Sequence, residues 1–97
     1  MKTTFILLAQ YDGLAIIPLE FVCRDYFRHL TVEKFLRKVL AGEIDLPVVR
    51  MESSQKSAKG IHINDLAAYL DKQAAMARKE HEQLRKSKSV PDLLKVA

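Results

Sequence analysis

The sequence predicts a small α+β fold, mainly helical, in the order helix, turn, helix, β-hairpin, helix. Three observations carry this. Apolar residues recur at intervals of three and four over residues 18–30, which is helical spacing. A capped basic run, TVEKFLRKVLAG, follows after a gap of about three residues. Two β-type runs, LPVVRM and GIHI, then flank the polar loop SSQKSAK, and a third helical stretch closes the order.

Residues 4–17, TFILLAQYDGLAII, are apolar and β-leaning around an Asp12-Gly13 turn signal. They read as a hairpin or two short extended pieces. FILLA fits a buried helical turn as well, because short apolar runs suit both periods; the extended reading is preferred. Pro18 suits the first turn of a helix, where its missing N–H costs nothing. Leu19, Val22, Cys23, Tyr26, Phe27 and Leu30 then fall on one helical face, with Glu20, Arg24, Asp25 and Arg28 on the other. This predicts a helix from about Pro18 to Arg28. Phe21 is the large apolar residue off that stripe, suited to packing on the N-terminal segment or to a partner surface.

Thr31 is a good N-cap for the second helix, Glu33 suits its positive end, and Gly42 is its natural stop. Phe35, Leu36, Val39 and Leu40 form its expected buried stripe, with Lys34, Arg37 and Lys38 on or beside the opposite side. So short a connection makes the two helices cross sharply. Leu46 to Met51 reads as a strand beginning at a proline, and Gly60 to Ile63 as its return. Asn64 or Asp65 can cap the third helix, whose small apolar face is Leu66, Ala67, Leu70 and Ala74. Strong helix formers extend it from Lys72 to Lys86, although the apolar stripe fades. The expected organisation is a DNA-binding unit over 1–71, a charged helical extension over 72–88 and a mobile tail over 89–97.

At 97 residues one domain is expected. A formal net charge of +4 and a pI near 9.3 favour an anionic partner such as nucleic acid. The single cysteine, Cys23, excludes an internal disulfide and multi-cysteine metal sites; on the buried stripe it reads as a small apolar filler. His29, His62 and His81 lack ligand spacing. No phosphate-binding glycine loop, carboxylate pair or nucleophile–base pair stands out, so no metal, no cofactor and no enzymatic activity are expected. Gln10, Tyr11 and Asp12 interrupt the first apolar run too early for a secretion signal, and no run approaches the roughly 20 residues that cross a bilayer. A cytoplasmic location without membrane attachment is expected.

The element order is the outline of a winged helix-turn-helix. A helix fits the DNA major groove, and a neighbouring hairpin can lay a basic loop on flanking phosphates or in the minor groove. Both elements need cations on the same side of the protein. The candidates are Lys34, Arg37 and Lys38 on the second helix and Arg50, Lys56 and Lys59 on the hairpin, with Ser53, Ser54, Gln55 and Ser57 as short hydrogen-bonding groups. Thr31 and Glu33 would approach the groove with the second helix, and Arg24 and Arg28 would add contacts to the DNA backbone. Arg37 is the candidate for bidentate contact with guanine, whose O6 and N7 match a guanidinium fork. Singly, each cation reads as a solvated surface group and the serine-rich loop as only a loop. The combination points to DNA.

The strings VCRDYF, FLRKVLAGEIDLPVVR and SSQKSAKG, within a stretch from Thr3 to Asp71, resemble the pyocin activator (PrtN-like) family. More loosely the layout resembles excisionase-like and MerR-like winged helices. The resemblance implies a bacterial transcriptional activator that binds short promoter repeats and switches on phage-tail-like bacteriocin or prophage genes. It implies FLRKVLAGE as the recognition helix and VVRMESSQKSAKGIH as the wing. The implied partners are double-stranded promoter DNA and RNA polymerase. A domain this small reads few base pairs, so a homodimer or cooperative oligomer on repeats is expected. The helix beyond Leu70 would supply the dimer contact or stand solvated. Two other readings stay open: an excisionase-like architectural factor, and a protein-interaction module (antirepressor or polymerase adaptor) using Phe21 and the C-terminal helix.

Overall fold

The structure, a computed structural model, describes residues 2–54 and 56–87. It is α+β and mainly helical. The elements run α1 (Lys2–Gln10), β1 (Ile16–Pro18), α2 (Leu19–Tyr26), α3 (Val32–Leu40), β2 (Val49–Arg50), β3 (Lys59–His62) and α4 (Ile63–Ser87). The expected tail over 89–97 lies outside the described residues.

The N-terminal segment corrects the sequence reading, since FILLA lies within α1 rather than in a hairpin. Leu7 is fully buried and Tyr11 nearly so, while Phe5 and Ile6 face outward at 68% and 64% exposure. This helix is apolar on almost every side, so its sequence shows no polar stripe to betray the 3.6-residue period. Asp12 and Gly13 do turn the chain, with φ of 53° and 78°. They end α1 and lead into β1, where the second of the two expected extended pieces forms a short strand.

β1 pairs antiparallel with β3, and β3 with β2, in the order β1-β3-β2. The predicted hairpin is therefore the outer part of a three-stranded sheet. Its first strand is only Val49–Arg50, not Leu46 to Met51. Pro47 brings no N–H to a ladder, and Ile44 and Leu46 instead bury their side chains from the loop before the strand.

α2 and α3 follow the sequence closely. Leu19, Val22, Cys23 and Phe27 are buried, and burial raises the Cys23 thiol pKa. Thr31 caps α3, its hydroxyl accepting the Lys34 N–H at 3.2 Å. At the other end Gly42 takes φ +79°, its N–H bonds the Val39 carbonyl, and the Glu43 N–H bonds the Lys38 carbonyl. That is a Schellman stop, which needs a residue tolerant of the left-handed region. One member of the expected buried stripe is elsewhere: Leu40 is 87% exposed.

α4 begins one residue before its expected caps. The His62 Nδ1 accepts the Asn64 N–H at 3.0 Å, and the Ile63 N–H reaches the Ala15 carbonyl. Leu66 and Ala67 enter the core and Leu70 packs against it, whereas every side chain described over 71–86 is exposed. Thr3 on α1 donates to Asp71 on α4 at 2.6 Å, where the two helices pack together. The core unites all four helices with Ile17 and Ile61 of the sheet around Phe35. Each such fully buried apolar side chain stabilises the fold by about 1.5–3 kcal/mol.

Candidate nucleic-acid interface

A 3.6-residue repeat puts Glu33, Arg37 and Leu40 on one stripe of α3, and all three are exposed. Lys34 is exposed on the neighbouring flank. Arg37 and Lys34 make no side-chain hydrogen bond or ion pair among the described residues. Lys38 reaches back to Glu43 at 3.0 Å. An exposed pair of that kind is worth only about 0–1 kcal/mol, so Lys38 can exchange it for another anion. The Thr31 hydroxyl is engaged as the helix cap.

The hairpin faces α3 across two grooves. Arg50 and Lys59 are cross-strand partners. Both line a groove of about 570 Å³ whose remaining wall is Leu36, Val39, Leu40 and Val48. A second groove, of about 250 Å³, brings Ser57 and Lys59 beside Val32 and Leu36 of α3 and Leu19 and Glu20 of α2. The predicted cations Arg50 and Lys59 thus meet α3 at the flank next to the Arg37 stripe. Ordering of the hairpin loop uses two of its serines: the Ser54 Oγ accepts the Lys56 N–H at 3.1 Å, and the Ser57 Oγ donates to the Glu52 carbonyl at 3.0 Å. Ser53 and the Lys56 side chain are exposed. Gln55 lies outside the described residues.

The two arginines of the α2 segment differ. Arg28 is exposed, its Nε donating weakly to the Arg24 carbonyl at 3.4 Å. Arg24 is committed within the protein. Its guanidinium grips Asp25 with two hydrogen bonds of 2.8 and 3.0 Å and stacks 4.8 Å above the ring of Phe21. Phe21 is exposed and packs under this cation. The same Asp25 carboxylate accepts the Tyr11 hydroxyl at 2.6 Å, and the Tyr26 hydroxyl donates to the Gln10 side-chain Oε1 at 2.7 Å. The network staples the end of α1 to α2.

The Arg24 guanidinium, and after it the Tyr11 hydroxyl, hold the Asp25 pKa down to about 2. Burial, with the bond to Asp25, pushes the Tyr11 pKa up. A carboxylate with a depressed folded pKa stabilises the fold above its ordinary pKa of about 3.9, and that contribution is lost as pH falls towards the folded value. Urea midpoints of the wild type should therefore fall between about pH 4 and 2, with a shallower fall over that window for Asp25→Asn. Parallel pH curves would show that Asp25 carries none of the acid sensitivity.

Sequence reasoning missed Leu40 as an exposed group. The signal was present: five residues at 100° each set Leu40 about 140° around α3 from the buried Phe35. No group of three or more histidines, cysteines or carboxylates that could hold a metal occurs among the described residues. No described helix is long and apolar enough to cross a membrane. The family model described as pyocin activator protein PrtN matches residues 3–77. Neither a curated protein nor a solved structure matches the chain.

Proposed function

The chain belongs to the pyocin activator family, and we propose from that premise that it is a sequence-specific, DNA-binding activator of pyocin-type bacteriocin or prophage genes, built as a winged helix-turn-helix. In this reading α3 enters the major groove with Glu33, Lys34 and Arg37 towards base edges, and the hairpin sits on the adjoining backbone. The observation that carries it is the groove that Arg50 and Lys59 share with Leu36, Val39 and Leu40 of α3. The hairpin cations stand on one flank of the helix that carries Lys34 and Arg37, so positive groups from two chain segments border one surface, as contacts to the phosphates beside a groove being read require. Arg24, tied to Asp25, has the weakest claim to a phosphate.

Selection of random duplex DNA by the purified full chain, at two salt concentrations, tests the reading. One motif should be enriched at both, and a repeated half-site within it would mark two copies bound side by side. Absence of any enriched motif would overturn the assignment. On the selected site, Arg37→Ala should cost about 1–3 kcal/mol and blunt discrimination at one base pair. Lys56→Ala should weaken all sequences alike and lower the salt slope by about one. Measuring both variants by fluorescence anisotropy over a salt series separates base reading from phosphate anchoring.

The exposed Phe5 and Ile6 of α1 favour a second surface, on another helix, for a protein such as RNA polymerase. A chain that activated transcription through protein contacts alone would enrich no DNA motif in the same selection.

A further inference from the structure

We infer that Leu40 is a specificity-determining residue that reads the methyl group of a thymine in the major groove. The inference rests on the DNA-binding reading above and deepens it. Leu40 is the most exposed of the large apolar residues described, at 87%. Its position is not a frayed helix end, since the Gly42 and Glu43 backbone bonds of 3.0 and 2.9 Å to Val39 and Lys38 lock the turn that follows it. The exposed leucine is therefore held in place without packing into the core.

Its surroundings select the partner. Arg37 lies one turn earlier on the same stripe, and Arg50 and Lys59 stand across the groove whose edge Leu40 forms. An apolar tip ringed by three cations suits a partner that is polyanionic and offers an isolated apolar group. The major groove of duplex DNA is such a partner, and thymine C5-methyl is the apolar group it presents. The stripe Glu33, Arg37, Leu40 then contains one group suited to cytosine N4, one to guanine O6 and N7 and one to thymine. Arg37 and Leu40 are about 4.5 Å apart along the helix axis, at 1.5 Å per residue. With bases spaced about 3.4 Å along each strand, the thymine should lie one or two base pairs from the guanine that Arg37 contacts.

Replacing thymine by deoxyuridine removes only the methyl. Each thymine of the site selected by the wild-type chain would be replaced singly, and affinity measured for the wild type, Leu40→Ala and Leu40→Met. One replacement should weaken wild-type binding about three- to fourfold, the worth of one buried methyl. Leu40→Ala should bind the unmodified site more weakly by a similar factor and be indifferent to deoxyuridine at that position. Leu40→Met, which keeps an apolar tip, should regain most of the sensitivity. If no single deoxyuridine affects the wild type, or if Leu40→Ala loses as much as the wild type does, the inference is overturned while the DNA-binding reading survives. Failure to select any site would sink both.

Discussion

Phe35→Ala is expected to destabilise the protein by about 3–5 kcal/mol, as a buried phenylalanine truncated in a core that cannot collapse around the loss. The ring is fully buried and meets Phe27 edge-on, with centroids 5.0 Å apart and planes at 61°. Phe27 in turn packs on Tyr69 at 5.8 Å. One side chain thus joins α3 to the end of α2 directly and to α4 through a second ring. Total stabilities of about 5–15 kcal/mol leave little after such a loss. Urea denaturation followed by circular dichroism should show the midpoint collapse, and DNA binding near the midpoint should fall with the folded fraction. A cost below about 1 kcal/mol would mean that α3 is held by something other than this ring stack.

Gly60→Ala should be nearly as damaging, at about 3 kcal/mol, the upper part of the usual overpacking cost. Gly60 sits in the central strand, opposite Pro18 on one side and Val49 on the other. A Cβ there would stand 2.5 Å from the Ile17 carbonyl oxygen and 2.7 Å from the Ile16 Cγ2. The first neighbour is backbone, so no rotamer change relieves it. β1 and β3 must separate, and the shift passes to Lys59 and the hairpin. The same denaturation series should show the loss. On the proposed DNA site, binding at low temperature, where the variant is still folded, should weaken because the hairpin shifts relative to α3. An unchanged midpoint would show that the seam yields without strain.

α2, α3 and most of α4 were legible because each combines helical apolar spacing with local stops: Thr31 and Gly42 act through bonds to residues three to five positions away. α1 was not legible, since a helix with Phe5, Ile6, Leu7 and Leu8 in succession carries no alternation to read. β1 was legible as a short extended piece but its partner was not, because pairing with β3 joins residues far apart in the chain. Arg50 and Lys59 were legible as cations, but their shared groove with α3 depends on strand register, a long-range property. The neutralisation of Arg24 was hidden for the same reason. Asp25 sits next to it in the chain, yet the carboxylate is oriented by Tyr11, fourteen residues away. Leu40 was misassigned because an apolar residue at the edge of a helical stripe fits either face.

The Thr3–Asp71 bond has a bearing on synthesis. As the chain leaves the ribosome, residues 2–10 emerge well before residues 63–71 of α4, against which they pack. Until then Leu7 and its neighbours have no cover, and the nascent chain displays an apolar segment of the sort that chaperones bind and that aggregates when crowded. Closure joins partners 68 positions apart, a long loop whose entropy must be met before the contact repays it. Closure of this N-terminal helix therefore waits on synthesis of α4.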